Sequence, residues 1–302
     1  MESAASRDAR RWLQLVLGAL WVVDGLLQYQ PFMFTPGFAR SLVATAQGNP
    51  HAIAASITWA AGIVAAHPVA TNAAFATIQV LLGVGIAWRP TLKVALAGSI
   101  VWSVAVWWFG EGLGSVLTGS ANPLSGAPGA VILYALLAVL LWPTHRPEQS
   151  DPAWSFVAAR PVGPQVARLL WLVLWGALAY FAVQPGYRTP QGLHDMLSGT
   201  AQGQPRWLAS IGQHAAGLVA GRGGTVSIII AVVLGVIALG VFVPVPIVRV
   251  VLVVAVVAAA VIWVVGEAFG GVFTGQGTDP NTGPLLALLA AAYWPLPART
   301  GR

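Results

Sequence analysis

Residues 225–245 read TVSIIIAVVLGVIALGVFVPV, and this stretch contains no charged side chain. The next apolar stretch, 247–265, carries a single charge at Arg249. A helix that crosses the hydrocarbon core of a membrane needs about 20 consecutive apolar residues. Each of the two stretches therefore predicts a membrane-spanning helix.

The overall composition agrees with a membrane protein. The chain has 302 residues, of which 57% are hydrophobic and 8% are charged, whereas soluble proteins average about 25% charged residues. Soluble and disordered classes are thereby excluded, and the absence of Cys excludes disulfide scaffolds, thiol catalysis and Cys-ligated metal sites. The net charge is +6, but the cations are scattered at segment ends, which is typical of lipid headgroup contacts rather than of nucleic-acid binding.

Two segments of the chain resemble each other. GEGLGSVLTG at 110–119 and GEAFGGVFTG at 266–275 are identical at six of ten positions. Further landmarks recur in the same order in both halves, and they predict an internal duplication. The matched pairs are Gln30-Pro31 with Gln184-Pro185, Thr35-Pro36 with Thr189-Pro190, Trp107 with Trp263, Asn122-Pro123 with Asp279-Pro280, and Pro128 with Pro284.

These observations predict an all-α, polytopic membrane helix bundle of two tandem homologous repeats with about ten (eight to ten) transmembrane helices. Repeat 1 covers 1–145, a linker covers 146–164, and repeat 2 covers 165–302, with about five spans in each repeat. The candidate spans are 12–29, 51–67, 72–88, 92–109, 128–143, 166–183, 207–221, 225–245, 247–265 and 283–297. A short interfacial helix is expected after Thr35 and after Thr189, each read as an N-cap.

An odd number of spans per repeat requires that the second copy be inverted in the membrane. With ten spans the Lys and Arg residues divide 8 against 7 between the two sides, so the positive-inside rule gives no orientation. Inverted repeats are a common plan of secondary transporters. The alternative is that the last span of each half does not cross, which leaves eight spans, a parallel pair and a division of 9 against 6.

Carboxylates in or against apolar segments are candidates for function, because a charge inside a membrane is costly. Glu111 and Glu267 each end a span and open the Gly-rich turn G-E-x-x-G-x-V-x-T-G, whose N–H groups and Thr hydroxyls can coordinate a polar solute. Asp24 lies within the first span, and its counterpart is Leu178. The predicted transport or ligand path is Glu111, Glu267, Asp24, Thr118, Thr274, Gly114, Gly270 and His214.

Structural interpretations of the same residues stay open. Each Glu can cap or pair locally and stabilise a turn, and Asp24 can bond to a neighbouring helix. His214 occupies the position of Trp59, and since no repeat-related His pair exists, haem ligation is not favoured. No catalytic residue and no metal site is predicted, because none of the familiar catalytic or metal-binding motifs is present.

Tryptophan is abundant, with 14 residues. Trp107, Trp108 and Trp263 lie near segment ends, which is typical of an aromatic belt at the membrane surface. The alternative is a flat aromatic pocket for a quinone or another lipid-like ligand.

The segment DGLLQYQPFMF at 24–34, which follows an Arg and an apolar span, resembles the DoxX-type family of small bacterial membrane proteins, including DoxX, DoxD and MauE-like members. The resemblance covers about the first four spans of each half and implies four-helix membrane units, some of them associated with redox or quinone-linked enzymes. The fifth span and the Gly-rich turn of this chain lie outside the resemblance. The resemblance implies no site residue in this chain.

Three functional hypotheses follow. The first is a permease for a small solute or ion with a carboxylate-lined path. The second is a DoxX-like subunit that binds quinone or a redox partner protein. The third is a structural or assembly protein of the membrane. All three place a non-enzymatic, multi-pass protein in a bacterial inner membrane with the lipid bilayer as its surroundings. No cofactor is expected except quinone under the second hypothesis.

Overall fold

The computed structural model describes residues 4–144 and 155–296, and these residues form helices and turns without a β-strand. The first half contains α1 (Ala4–Leu27), α2 (Pro36–Thr45), α3 (His51–Ala66), α4 (Pro68–Ala87), α5 (Leu92–Phe109) and α6 (Ala130–Leu140). The second half contains α7 (Ala159–Val162), α8 (Pro164–Ala182), α9 (Gly192–Thr200), α10 (Arg206–Val219), α11 (Gly223–Leu239), α12 (Val245–Val261) and α13 (Thr282–Ala292).

Five helical segments are long and apolar enough to cross a membrane, and this indicates a membrane protein. The predicted ten spans are not confirmed by length and composition. The five segments are Pro68–Ala87, Arg89–Phe109, Pro164–Ala182, Gly223–Phe242 and Val245–Thr274.

Helix α3, which hydropathy counts as a span, lies across one end of the bundle. Near its start, Ser56 accepts a hydrogen bond of 2.9 Å from the indole N–H of Trp108 at the C-terminal end of α5. Near its end, Val64 packs with Met33 and Phe38, which follow the C-terminal end of α1. Since α1 and α5 end on the same side, both ends of α3 stay on that side, and it does not traverse the bundle.

Helix α10 is placed in the same way in the second half. Its Trp207 packs edge-on against Phe273 in the turn after α12. The chain then enters α11 at Gly223, whose N–H donates to the carbonyl of Pro190 just beyond the end of α8. The segments 51–67 and 207–221 are therefore helical as predicted but cap the bundle rather than cross it.

The two halves run in the same direction, and the inverted arrangement expected from the sequence is wrong. The side chain of Gln30, after α1, donates to the carbonyl of Gly277, and the hydroxyl of Tyr187, after α8, donates to the carbonyl of Ser120. These bonds place the C-terminal ends of α1 and α8 beside the two Gly-rich turns. The opposite end holds the N-terminal part of α8, where Ala167 accepts a bond from Tyr293 at the end of α13. With α3 and α10 removed from the count, each half keeps four helices that alternate in direction along the bundle, and this even number permits the parallel arrangement.

The basic residues are distributed unequally between the two ends. Among the described residues, eight lie at the end that holds the start of α1 and four lie at the end that holds the turns. The first group is Arg7, Arg10, Arg11, Arg89, Lys93, Arg160, Arg168 and Arg249, and the second is Arg40, Arg188, Arg206 and Arg222. Because positive residues are retained on the cytoplasmic side, the turns are expected to face outward.

This orientation can be tested in a chain that has no Cys of its own. Single Cys residues at Ser120 and Gln276, exposed positions of the two turns, should both react with a membrane-impermeant thiol reagent added to intact cells. A Cys at the exposed Asp8, on the opposite end, should react only after the cells are opened. Reaction of only one turn from outside would instead show that the halves are inverted.

Glycines set the close approach of α1 and α4. A Cβ at Gly83 would lie 2.4 Å from the carbonyl oxygen of Gly18 and 2.6 Å from a methyl group of Val22. Small residues of this kind let two membrane helices pack backbone to backbone. The contact fixes the register of α1, and therefore the depth at which Asp24 lies.

Gly83→Ala should destabilise the protein by about 1–3 kcal/mol, because the added methyl group overpacks a backbone contact. Gly235→Ala is the matched control, since a Cβ on this helical glycine of α11 meets no atom within 4 Å. Thermal unfolding of both variants in detergent measures the difference. Equal midpoints for the two variants would contradict the packing account.

The predicted linker 146–164 is only partly visible, because residues 146–154 lie outside the described residues. Its second part is packed: Phe156 stacks on Tyr293 with ring centroids 5.1 Å apart, and the N–H of Ala158 donates to the carbonyl of Ala292. At the interfacial helices, Thr35 caps α2 by accepting a bond from Gly37. Thr189 does not cap α9, because its hydroxyl instead donates back to Gly186.

Candidate functional site

The two Gly-rich turns share one hydrogen-bond pattern. The indole N–H of Trp107 donates to the carbonyl of Pro128, and that of Trp263 donates to the carbonyl of Pro280, each at 2.7 Å. Pro128 therefore matches Pro280, and the sequence pairing of Pro128 with Pro284 is wrong. The second turn is four residues shorter, so sequence landmarks after the turn fall out of register.

Glu111 caps the helix that follows its turn. One of its carboxyl oxygens, Oε1, accepts bonds from the backbone N–H groups of Ala130 and Val131 at the start of α6. The first N–H groups of a helix have no partner within the helix, and a negative group there also favours the helix dipole. The other oxygen, Oε2, is shielded and has no partner.

Glu267 does the same for α13, but both of its oxygens are used. Oε1 accepts from the N–H and the hydroxyl of Thr282, and Oε2 accepts from the N–H of Gly283 at 3.1 Å. Its residue is buried, with 5% of its surface exposed. Both oxygens of Glu267 are therefore hydrogen-bonded in its helix cap, whereas one oxygen of Glu111 has no hydrogen-bond partner.

The remaining predicted residues of the turns are used within the turns. The hydroxyls of Thr118 and Thr274 donate to the carbonyls three residues earlier. A Cβ at Gly114 would lie 1.9 Å from the carbonyl of Pro128, and one at Gly270 would lie 2.4 Å from that of Asp279. These glycines, both at positive φ, are needed for close backbone approach rather than for a ligand.

His214 does not join the site. It lies on an exposed face of α10. Trp108 is also partly exposed and binds Ser56, whereas Trp107 and Trp263 hold the turns. No group of three His, Cys, Asp or Glu side chains in the described part of the chain could hold a metal ion.

The structure brings Asp24 and Glu111 together at a cavity of about 360 Å³. The cavity lies between α1, α4 and α5, and the α2–α3 hairpin covers it. Asp279 and Thr278 of the second half complete its wall. Among its lining residues, Trp59 and Phe109 are exposed whereas Asp24 is 1% exposed, so the cavity connects exposed aromatic rings with a buried acid.

The acids of the cavity influence one another. Burial, together with the charges of Asp279 and Glu267, raises the pKa of the Glu111 carboxyl to about 8, against the opposing effect of its bonds from Val131 and Ala130. Burial also raises the pKa of Asp279, against the opposing effect of its bonds from Thr278 and Asn281. At neutral pH the Glu111 carboxyl is therefore mostly protonated.

Sequence reasoning missed Asp279, which was noted only as part of an Asp-Pro landmark. In the corrected register its counterpart is Ala127, so an acid replaces an apolar residue at this position, and that exchange is the signal that a correct alignment would have shown. Gln28 and Gln79 were also not placed at a site. Both line the cavity, each is 5% exposed, and each has an amide oxygen without a partner.

Comparison of the chain with protein-family models, with curated proteins and with solved structures finds no match.

The two capping carboxylates predict losses of stability of different size for the same substitution. Glu267→Gln should lower stability by about 1–3 kcal/mol, because an amide NH₂ group would replace one of two oxygens that accept bonds from buried donors. Glu111→Gln should cost less than about 1 kcal/mol, because the amide oxygen can keep the helix cap while the NH₂ group faces the cavity. Thermal unfolding in detergent compares them, and a larger loss for Glu111→Gln would contradict this assignment.

Proposed function

We propose that this chain is a multi-pass membrane permease that binds a small solute in the acidic cavity and exchanges it for protons. The observation that carries the proposal is the arrangement of Asp24, Glu111 and Asp279 around an open cavity. Among the described residues that line this cavity there is no Arg, Lys or His. The carboxyls are therefore not neutralised by a side chain of opposite charge.

An unpaired carboxylate in a water-poor site is unstable, and it takes up a proton unless a cation or a strong donor is present. A solute that binds Asp24 or Glu111 through such a group therefore competes with a proton for the same oxygen. This competition is the elementary step of proton-coupled exchange. Glu267 takes no part, because hydrogen bonds within the protein already occupy its oxygens.

The position of the cavity also supports this function. Its floor and most of its walls belong to the first half, but Thr278 and Asp279 come from the turn of the second half. A small displacement of one half against the other therefore changes the cavity directly. Relative movement of two halves around a fixed site is how alternating access is achieved in many transporters, and it does not depend on the halves being inverted.

The cellular location is part of the proposal. Five long apolar helices support a membrane location, and the excess of basic residues at the end with the start of α1 favours a cytoplasmic face there. The abundance of Ala, Gly, Val and Arg over Lys fits a bacterial protein. We therefore place the chain in the bacterial inner membrane.

A second candidate function is the DoxX-like one, a redox-associated subunit that binds quinone or a partner enzyme. It is favoured by Trp102, whose indole N–H lines the cavity without an acceptor. A quinone carbonyl is an acceptor that suits this group, and the apolar walls suit a quinone ring. The parallel arrangement of the halves is also compatible with this function. Inverted repeats would have favoured a transporter over a redox-associated subunit, and the halves are not inverted.

The proposed function requires that a hydrophobic molecule can reach a protonated Glu111. Dicyclohexylcarbodiimide, an apolar reagent that reacts with protonated carboxyls, should modify Glu111 in the purified protein at pH 6. The modification should decline as the pH rises above about 8, because the carboxyl then loses its proton. Peptide mass spectrometry locates and quantifies the modified residue.

Glu267 is the internal control, since its carboxyl lies in an equivalent turn but is buried and fully bonded. It should stay unmodified across the same pH range. Equal modification of Glu111 and Glu267, or none of Glu111 or Asp24 at any pH, would contradict an accessible proton-binding site.

A further inference from the structure

The cavity offers hydrogen-bond acceptors in excess. Four of its buried side-chain oxygens have no partner, and the one buried donor without a partner is the indole N–H of Trp102. The four oxygens belong to Asp24, Gln28, Gln79 and Glu111. A ligand that matches this lining must donate hydrogen bonds or carry positive charge, because buried acceptors are normally paired.

The charges around these acceptors also favour a positively charged ligand. Asp24 and Glu111 influence each other, and Asp279 acts on both. Tyr134 of α6 is close to Asp24, and Glu267 lies beyond Glu111. The charged groups that act on the two carboxyls are therefore all acids, whereas Tyr134 offers its hydroxyl to Asp24, and each negative charge added to the site makes a cation more favourable.

The acids are nevertheless unsuited to a bare metal ion, because they do not form a ligand cluster among the described residues. They line a cavity whose remaining walls, apart from Gln28, Gln79 and two Thr residues, are mostly apolar and aromatic. Phe75 and Trp102 lie together with ring centroids 5.6 Å apart, and Trp59 of the α2–α3 hairpin also lines the cavity. Aromatic faces attract organic cations through their π electrons and exclude water at the same time.

We propose that the solute is a hydrophobic organic cation, an ammonium group on an aromatic or alkyl body. Its body lies against Trp59, Phe75 and Trp102, and its N–H groups bind the free oxygens of Asp24 and Glu111. This assignment rests on the proposed function and names its solute class. It also distinguishes the two halves, because the second half has Leu178 in place of Asp24 and no free oxygen on Glu267.

Binding of such a cation should depend on pH in a defined direction. Below pH 8 a proton occupies Glu111, and the cation must displace it. The apparent affinity should therefore rise with pH, by up to about tenfold per pH unit for one displaced proton, and level off above pH 8. Asp24, Tyr134, Asp279 and Glu267 surround this carboxyl, and deprotonation of any of them strengthens the trend.

The test uses radiolabelled 4-phenylbutylamine and equilibrium dialysis against the purified full chain in an uncharged detergent. An alkylammonium group has a pKa near that of Lys, about 10.4, so the probe stays charged between pH 6 and 8. The neutral alcohol 4-phenylbutanol has nearly the same shape and serves as the matched ligand. We expect the amine to bind at least about tenfold more tightly than the alcohol at pH 8, with the predicted rise from pH 6.

Variants show whether the binding uses the proposed groups. Glu111→Gln and Asp24→Asn should each weaken amine binding by about tenfold or more and flatten its pH dependence. Asp195→Asn is the control, because Asp195 is an exposed acid outside the cavity. Trp102→Phe keeps the aromatic face and removes the N–H donor, so it should change amine binding less than about twofold. Thermal unfolding midpoints confirm that each variant is folded.

Three results would overturn the proposal. Equal binding of amine and alcohol would show that the cavity recognises apolar shape alone. Binding of decyl-ubiquinone in place of the amine, lost in Trp102→Phe, would assign the cavity to a quinone. Unchanged amine binding in folded Glu111→Gln and Asp24→Asn would place the cation elsewhere. Carbodiimide modification of Glu111 is independent of these results, so the proposed function and the solute class can fail separately.

Discussion

The structure depends on two buried helix N-termini that must be satisfied without water. Helices α6 and α13 have only 11 residues each, and most of their side chains are buried between the halves. Their first N–H groups would be left unpaired in a water-poor environment, which costs several kcal/mol per group in a membrane. In each case the carboxyl at the end of the preceding long helix turns back to accept them. The Gly-rich turn exists because the chain must reverse direction within the reach of that carboxyl.

The same device has different consequences in the two halves. In the second half, the hydroxyl of Thr282 adds a donor to Glu267, and the cap is complete. In the first half the equivalent residue is Ala130, which offers only its N–H, so one oxygen of Glu111 is left without a partner. Asp24, which has one oxygen without a partner and interacts with the hydroxyl of Tyr134, adds a second acid where the second half has Leu178. The two turns therefore share a capping carboxyl and a bond from Trp to Pro, and a few side-chain differences decide whether that carboxyl keeps a free oxygen.

Much of the local structure was predictable from the sequence. The span 92–109 has the same bounds as α5, and the Thr35 cap begins α2 as predicted. The predictions that failed concern helix placement, which hydropathy alone does not determine. Helices α3 and α10 are apolar enough to be counted as spans, yet contacts of Trp108 and Trp207 with distant segments hold them across one end. Removing one span from each half changes an odd count to an even one, so the error in α3 and α10 also produced the inverted topology.

The site was predictable in part for the same reason. Glu111 and Asp24 could be identified because a carboxyl in an apolar segment is conspicuous in the sequence. Asp279 could not, because it lies in a polar turn and becomes important only where that turn meets the first half. The cavity is therefore a product of the parallel arrangement: both turns lie at one end, and an acid from the second turn completes a wall that the first half begins. The two turns divide the work between folding and the cavity. The carboxyl of Glu267 is fully used as a helix cap, and its turn contributes Asp279 to the cavity, whereas Glu111 caps its helix with one oxygen and turns the other towards the cavity.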